Sequence, residues 1–239
     1  TVRNAFHHHF DYIDKYYTPF IPAAKRMNAK IKRDIDPVNN DGITLIPQAM
    51  SIVADEVIDL HRQLVPYGYD EINVNLGCPS GTVVSKKRGS GILAYPDMLD
   101  SFLDELYTKA DFPVSIKTRV GFNDDELWPK LIEIYSKYPI SELTVHPRVQ
   151  KDFYKNTPRM DDFALAIQKI NPDKTILCYN GDITDTNSFN ALTDCFPDID
   201  EIMIGRGLFA NPALIAELKG ISMDKAELRE RLKNWHDEI

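Results

Sequence analysis

The residues most able to carry chemistry lie at the ends of predicted strands, and Cys78 is the first of them. The stretch Glu71–Ser80 (EINVNLGCPS) alternates apolar and polar residues and then breaks at Gly77, which predicts a buried strand that ends in a tight turn. Pro79 restricts the backbone directly after the cysteine. A free cysteine is often an inert core residue, but the carboxyl end of a parallel strand is where α/β proteins place reactive groups. We therefore predict that Cys78 is functional.

Other polar residues end the remaining predicted strands, and few of them are carboxylates. They are Gln48, Asn75, Lys117, Arg119, His146, Arg148, Asn180, Gly181, Asp182, Gly205 and Arg206. Such a set suits a ligand with a planar hydrogen-bonding ring and a phosphate. Gly181 and Gly205 each precede a predicted helix, where backbone N–H groups can bind phosphate. Lys117 lies inside a strand, so its charge needs either an anionic ligand or a neighbouring carboxylate.

Alternating strands and helices are needed to bring these residues together. The sequence predicts strands over 15–21, 43–48, 72–76, 113–118, 142–146, 175–180 and 201–205. It predicts helices over 1–10, 52–64 (capped by Ser51), 96–107, 124–138, 161–170, 184–196, 208–218 and 223–239, and a long loop over 79–91. Strict alternation predicts a parallel sheet, and no GxGxxG motif opens a helix. We therefore predict an α/β fold, a (β/α)8 TIM barrel.

The number of predicted strands bears on the domain organisation. A barrel of this kind has eight strands, whereas the sequence predicts seven and begins with a helix. We expect the first barrel strand to be missing from this chain, which makes 72–76 part of the fourth strand. Residues 1–220 are predicted to form the barrel domain, incomplete at its N-terminus. Residues 221–239 are predicted to begin a C-terminal helical domain that is truncated.

Charge and cysteine content restrict the class of protein. The net charge of -8 alone argues against a nucleic-acid partner. Basic residues nevertheless cluster after three predicted strands, and they are Lys25, Arg26, Lys30, Lys32 and Arg33; Lys86, Lys87 and Arg88; and Arg148, Lys151 and Lys155. The cysteines show neither disulfide nor metal-site spacing, and Cys178 and Cys195 are predicted to be structural. We expect a cytoplasmic protein with no metal and no membrane partner.

Five short motifs, taken in order, resemble those of the tRNA-dihydrouridine synthase family. They are Asn75-Leu-Gly-Cys-Pro-Ser80, Lys117-Thr-Arg119, His146-Pro-Arg148, Asn180-Gly-Asp-Ile183 and Gly205-Arg-Gly207. The resemblance runs from about Tyr16 to Gly220. It implies a flavin-binding barrel followed by a small helical domain. It also implies reduction of uridine in tRNA to 5,6-dihydrouridine, using FMN that NADPH re-reduces. The family's Pro-Met motif on the first strand does not precede Thr1.

The resemblance further implies a role for each candidate residue. Cys78 would protonate C5 of uracil while reduced flavin delivers hydride to C6, and Asn75 would orient the base. Contacts with the flavin are implied for Gln48, Lys117 and His146, and contacts around its phosphate for Asn180, Gly181, Asp182, Gly205 and Arg206. Arg148 would contact the base or the RNA. Lys86, Lys87 and Arg88 would hold RNA phosphates around a flipped uridine, in a protein that we expect to be a monomer.

Three other interpretations of the sequence stay open. A different FMN-dependent barrel oxidoreductase could act on a free pyrimidine or another small molecule. An aldolase would use Lys117 for a Schiff base, but it would need neither Cys78 nor the basic clusters. A non-catalytic RNA-binding module would have lost its flavin, so the absorbance of the purified protein separates it from an enzyme.

Overall fold

The computed structural model describes residues 1–23 and 26–239. Its strands are β1 (Tyr16–Tyr17), β2 (Ile21–Pro22), β3 (Leu45–Ile46), β4 (Gln48–Met50), β5 (Ile72–Leu76), β6 (Val114–Gly121), β7 (Glu142–Val149), β8 (Ile176–Tyr179) and β9 (Glu201–Ile202). Its α-helices are α1 (Val2–His9), α2 (Ala29–Ile35), α3 (Ala54–Leu64), α4 (Gly81–Val84), α5 (Pro96–Lys109), α6 (Trp128–Tyr135), α7 (Met160–Lys169), α8 (Thr186–Cys195), α9 (Arg206–Ala210), α10 (Leu214–Leu218) and α11 (Lys225–Glu238). Short 3-10 helices span Pro37–Asn39, Val65–Tyr67, Gly89–Ala94 and Gln150–Asp152. Lys25, part of the first basic cluster, lies outside the described residues.

The strands form a parallel sheet in the order β2-β4-β5-β6-β7-β8-β9, and β1 pairs with β3 beside it. A helix follows each strand of the larger sheet. Strands β2 and β9 lie at its two edges and are not paired with each other in the part of the chain that the structure describes. The predicted α/β class with a (β/α)8 barrel is confirmed, and the barrel is not closed between β9 and β2.

Two predicted strands are broken where the sequence predicted continuous ones. The strand predicted over 15–21 is divided into β1 and β2 around Pro19, and the strand over 43–48 is divided into β3 and β4 at Pro47. Proline has no N–H to donate to a ladder, which explains both interruptions. The hydroxyl of Thr18 accepts a hydrogen bond from the Gln48 N–H at 3.0 Å and bridges the gap between the broken strands.

Several helix predictions need correction as well. The segment 79–91 contains α4 and the start of a 3-10 helix, and α2 lies where no helix was predicted. The helix predicted over 208–218 is divided into α9 and α10 around Pro212. Ser51 is not the residue that caps α3, because Val53 stands at that position. The Ser51 hydroxyl accepts from the Val53 N–H at 3.1 Å and donates to Glu56 instead.

The interior of the barrel is polar, whereas the contact between sheet and helices is apolar. In β5, Ile72, Val74 and Leu76 belong to the hydrophobic core and alternate with Asn73 and Asn75. All five residues are buried, so the alternation predicted from the sequence separates two buried faces rather than a core face and a solvent face. The side chains on the inner face therefore need hydrogen-bond partners within the barrel.

A charged group fills the barrel near the amino ends of β7 and β9. The Lys15 ammonium lies 2.5 Å from Glu142 Oε2 and 3.2 Å from Glu201 Oε2. Burial opposes ionisation of Glu142, but the hydrogen bond from Lys15 lowers the pKa of this carboxyl below its usual range. The Tyr17 hydroxyl donates to Glu142 at 2.8 Å, so Lys15 just before β1 and Tyr17 within it both bond to this carboxylate.

Strand β7 carries one extra residue relative to β6. Arg119 pairs with His146 and Gly121 pairs with Val149, so two steps along β6 face three steps along β7. An extra residue of this kind is a β-bulge, which bends the strand and redirects its side chains. The bulge lies at the carboxyl end of β7, beside the candidate site.

The last helix packs against the first one. The Trp235 ring in α11 meets the Phe6 ring in α1 edge-on at 5.5 Å, and Arg231 donates to the His9 carbonyl at 2.8 Å. Among the residues described, no helix combines the length and apolar character that crossing a membrane requires.

Candidate active site

Cys78 is held by its neighbours at the carboxyl end of β5. The Asn75 side-chain oxygen accepts hydrogen bonds from the backbone N–H groups of Gly77 and Cys78, at 3.1 and 2.9 Å. The Cys78 carbonyl accepts from both the N–H and the hydroxyl of Ser90, at 3.1 and 2.9 Å. The thiol residue is half-buried and lines a cleft of 1220 Å³. The backbone around Cys78 is therefore fixed on both sides.

Gly89 packs directly against this turn. Its φ is +54°, and a Cβ atom at this position would lie 2.7 Å from the Cys78 carbonyl oxygen. No side chain fits at that distance, and the left-handed backbone itself favours glycine. The loop that follows α4 can therefore approach Cys78 closely because residue 89 is glycine.

A hydrogen-bonded layer of amides forms the floor beside Cys78. The Asn75 Nδ2 donates to Gln48 Oε1 at 2.7 Å, and Gln48 Nε2 donates to Asn73 Oδ1 at 3.0 Å. Asn73 in turn donates to the Ser115 hydroxyl at 3.1 Å. The Asn75 amide oxygen is fully engaged with the backbone, so the residue positions the Cys78 turn and keeps one N–H for a ligand.

Lys117 is the cation at the centre of the cleft. Its Nζ donates to Asn180 Oδ1 at 2.6 Å, and Asn180 Nδ2 donates to the Met203 carbonyl at 2.8 Å. No carboxylate lies within ion-pair distance of Lys117 among residues 1–23 and 26–239. Burial, and to a smaller extent the charge of Arg119, lowers the pKa of Lys117 to about 8. Two of its three N–H groups are left to bind an acceptor on a ligand.

Arg119, which the sequence placed at the end of the strand that carries Lys117 without an individual role, belongs to this site. Its side chain is 2% exposed and donates to the carbonyls of Gly77, Val149 and Phe153, at 3.0, 2.9 and 2.6 Å. Burial lowers the pKa of Arg119 to about 10. The guanidinium joins the Cys78 turn to the loop that follows β7. Its place two residues after Lys117 on a strand gave the signal that it shares the inner face.

His146 is neutral in this environment. Burial, followed by the charges of Lys117 and the nearby arginines, lowers the pKa of His146 to about 2. Its Nε2 lies 3.1 Å from Arg148 Nη1, and arginine can only donate, so Nε2 accepts and Nδ1 carries the proton. The imidazole therefore presents one N–H donor.

Arg148 lies inside the protein rather than on an RNA-facing surface. It is 1% exposed, and its five N–H groups bond to His146, to both Asp182 carboxylate oxygens and to the carbonyls of Lys155 and Asn156. Because no donor is left for a ligand, the geometry favours a positioning role over the direct contact predicted from the sequence.

Arg206 extends this network to the surface. Its Nη2 donates to Asp182 Oδ1 at 2.6 Å, while more than half of its side chain is exposed to solvent. Asp182 is therefore held between a buried and an exposed arginine. The carboxylate is charge-compensated, and the guanidinium of Arg206 is fixed at the edge of the cleft.

The predicted phosphate-site glycines follow β8 and β9 and line the same cleft. A Cβ at Gly181 would lie 2.0 Å from the Tyr179 hydroxyl, so the turn can pack this closely against the Tyr179 ring because residue 181 is glycine. Gly205 directly precedes α9 and has nothing within 4 Å of an added Cβ. In the same motif, a Cβ at Gly207 would lie 2.2 Å from the Ile183 carbonyl oxygen. The two loops are thereby packed together at one edge of the cleft.

The basic triplet is not part of the cleft lining. Lys86 and Lys87 are exposed, and Lys87 Nζ lies 4.4 Å from the centre of the Tyr95 ring. Arg88 pairs with Glu56 at 3.1 Å. Two exposed lysines beyond the Cys78 turn therefore remain as surface charge, and the third cation is neutralised.

The described residues contain one group with the geometry of metal ligands, away from Cys78. One ligand atom each from Glu142, Cys178 and Glu201 lies within 4.8 Å of the others. Lys15 already supplies the positive charge between the two carboxylates. Burial raises the pKa of the Cys178 thiol, so the sulfur is held in the neutral form that a metal does not favour.

Comparison with known proteins shows which family this chain resembles. The family model described as Dihydrouridine synthase (Dus) matches residues 4–237. A probable tRNA-dihydrouridine synthase of Staphylococcus aureus strain Mu50 is 34% identical over 154 residues, which cover 63% of this chain and 46% of the relative.

Two further relatives show the same partial coverage. The tRNA-dihydrouridine synthase B of Pasteurella multocida is 29% identical over 168 residues, which cover 70% of this chain and 49% of the relative. A probable tRNA-dihydrouridine synthase of Staphylococcus epidermidis is 32% identical over 152 residues, covering 62% and 46%. The matched part thus spans about half the length of these curated relatives. Since the family model extends over nearly all of the sequence, the chain belongs to the dihydrouridine synthase family.

Proposed function

We propose that this chain reduces the C5–C6 double bond of uridines in tRNA, with FMN as the flavin and NADPH as the reductant. One observation carries the proposal. A half-buried thiol, Cys78, and Lys117, which has no carboxylate partner among the residues that the structure describes, line the same cleft at the carboxyl ends of parallel strands. The names of the relatives and the family match support the same activity.

The residues of the cleft fit the cofactor chemically. Lys117 keeps two N–H groups and Gln48 keeps one for the oxygen and nitrogen acceptors of a flavin ring. Arg206 and the backbone near Gly181 and Gly205 suit its phosphate, and the Asp182 carboxylate is already neutralised by two arginines. Flavin bound there and reduced by NADPH would supply the hydride that reaches C6 of the uracil.

Cys78 would then complete the reduction at the other carbon. Hydride addition at C6 leaves negative charge that a proton at C5 quenches, and a neutral thiol can donate this proton. The thiolate that remains would be reprotonated from solvent. Asn75 holds the backbone of Cys78, and its remaining N–H would donate to a uracil carbonyl.

The RNA would have to present the uridine outside its base stack, because the cleft lies inside the barrel mouth. We propose that exposed lysines such as Lys86 and Lys87 contact phosphates around it. Arg148, which has no free donor, would act by holding His146 and Asp182. Residues 1–220 would form the catalytic barrel, and residues 221–239 would begin a helical tRNA-binding domain.

Flavin content and product formation test this function. Wild-type protein should bind FMN, oxidise NADPH and form dihydrouridine in tRNA, whereas protein that cannot be loaded with FMN would contradict the proposal. Cys78→Ala should keep flavin and NADPH oxidation but lose product formation by about 100-fold or more, the typical contribution of general acid catalysis. Cys195→Ala, at the exposed cysteine that ends α8, is the matched control and should behave as wild type. Unchanged product formation in Cys78→Ala would remove this thiol from the mechanism.

A further inference from the structure

Tyr154 is a large aromatic residue on the edge of the cleft, in the loop that joins β7 to α7. It lines the cleft and is 54% exposed. Its neighbour Phe153 is similarly exposed, at 46%, but does not line the cleft. Exposed aromatic rings are common and by themselves indicate little. Tyr154 differs from such rings in the conformation of its backbone and in the cations that surround it.

The backbone on both sides of Tyr154 is strained and firmly anchored. Phe153 and Asn156 have φ values of +52° and +60°, which are uncommon for residues other than glycine. Their carbonyls are held by buried arginines, since Arg119 donates to Phe153 at 2.6 Å and Arg148 donates to Asn156 at 2.6 Å. Strain that buried side chains maintain is typical of functional positions. The chain thus holds an exposed ring in one fixed place.

The surroundings of the ring define what it would bind. The guanidinium carbons of Arg206 and Arg119 lie 4.8 and 5.6 Å from the ring centre, and the His146 ring lies 6.3 Å away at an interplanar angle of 30°. Aromatic rings with adjacent arginines stack bases and bind phosphates in proteins that recognise single-stranded nucleic acid. The group combines a planar apolar face with positive charge, which matches a nucleotide.

We propose that Tyr154 is a preformed stacking platform for a nucleobase of the RNA, namely a base next to the uridine that enters the cleft. The uridine itself would have to pass this ring to reach Cys78 and Lys117, so an adjacent base meets the exposed edge of the cleft. This inference rests on the proposed function, because it assumes that the cleft accepts RNA.

A double-mutant cycle, in which Tyr154 and the bases beside the uridine are both varied, tests the platform. One RNA hairpin carries a single-stranded loop of uridines. A second hairpin keeps the central uridine and has abasic sites beside it. Dissociation constants are measured for both RNAs with FMN-loaded wild type, Tyr154→Ala, Tyr154→Leu and Tyr154→Phe. Phe153→Ala is the matched control, because it removes the neighbouring exposed ring from the same strained loop. Thermal unfolding of each variant reports whether the fold is retained.

Wild type, Tyr154→Phe and Phe153→Ala should bind the base-containing hairpin about tenfold more tightly than the abasic one, within the range measured for base–aromatic stacking. Tyr154→Ala and Tyr154→Leu should lose this difference. The proposal is overturned if wild type shows no difference between the two RNAs or if both substitutions leave it unchanged. A change confined to the KM for NADPH would assign the ring to the reductant and would also overturn it.

The same proteins separate this inference from the proposed function. Dihydrouridine in tRNA treated with wild type is measured in parallel. Product formation without coupling between Tyr154 and the adjacent base would reject the platform and leave the function intact. Coupling without any product would reject the function and leave an RNA-binding cleft.

Discussion

At the scale of single residues, hydrogen bonds to its own backbone fix the position of Cys78. Asn75 holds the N–H of Cys78, and Ser90 holds its carbonyl. Gly89 leaves the space in which the carbonyl lies. The position of the thiol is therefore sensitive to changes that do not touch the sulfur.

Gly89→Ala tests this dependence. The new Cβ would lie 2.7 Å from the Cys78 oxygen, so the turn must move, and dihydrouridine formation should fall by about tenfold or more through misplacement of the thiol. Flavin absorbance and NADPH oxidation should persist. Gly68→Ala is a control for the backbone strain, because Gly68 also has a positive φ, +85°, but has nothing within 4 Å. Equal losses of product in the two variants would mean that strain, and not the position of Cys78, explains the effect.

The sequence could predict which residues share the cleft, because the carboxyl ends of parallel strands meet at one face. Gln48, Lys117 and His146 all lie there. Their roles toward a ligand stay predictions. The sequence could not show that Arg148 uses all its donors within the protein, or that Arg119 reaches Gly77. Arg148 reaches partners in its own strand, in the following loop and at Asp182, and Arg119 reaches back to Gly77. Strand patterns contain no information on which of these groups a long side chain will reach.

At the scale of elements, the segment from Gln150 to Arg159 contains one short 3-10 helix and is otherwise held by side chains. Arg119 and Arg148 bind its carbonyls from the strands. Arg159 pairs with Asp152 within the segment at 2.5 Å. The Asp152 carboxylate also accepts from the Val149 N–H, which ends β7. Two arginines thus connect this loop to the barrel strands, and Arg159 holds it together internally.

Replacing Arg148 with lysine should loosen this loop. Lysine keeps the charge but has three donors on one nitrogen, so it cannot serve His146, Asp182 and two carbonyls together. We expect faster amide hydrogen exchange over 150–156 and a loss of about 1–3 kcal/mol in the free energy of unfolding, the cost of leaving buried polar groups unpaired. Arg62→Lys, at an exposed pair with Asp59, is the control and should change neither quantity. Unchanged exchange in Arg148→Lys would show that the loop is held by other contacts.

At the scale of the whole molecule, stability should depend on a carboxyl pair between α7 and the loop after β6. Burial, and then the charge of Asp125, raises the pKa of Asp162 to about 7. Asp162 Oδ2 is buried without a hydrogen-bond partner among the described residues. Arg159 lies 3.0 Å from Asp125 and only partly offsets the repulsion. The folded protein therefore favours protonated Asp162.

The raised pKa of Asp162 determines whether the stability of the protein rises or falls with pH. The pKa of Asp162 is higher in the folded protein than its ordinary value of 3.8, so the folded protein holds this proton more tightly than the unfolded chain does. The resulting contribution to the free energy of unfolding is complete below about pH 4 and is lost as the pH rises through about 7. Asp162→Asn should remove this loss and unfold at a higher urea concentration than wild type at pH 8, with a smaller gain at pH 5. Asp161→Asn, the exposed neighbour, is the control. An equal effect of Asp162→Asn at both pH values would contradict the assignment.

The bulge at the end of β7 has a consequence for how this sequence can change over evolutionary time. Loops normally tolerate insertions and deletions, and strands tolerate substitutions. Here one extra residue between His146 and Val149 sets the side-chain direction of Arg148, and a one-residue deletion would turn that side chain to the other face of the strand. The partners of Arg148 would then be lost together. The length of the segment His146–Val149 should therefore be as strongly constrained in evolution as the identity of Arg148 itself.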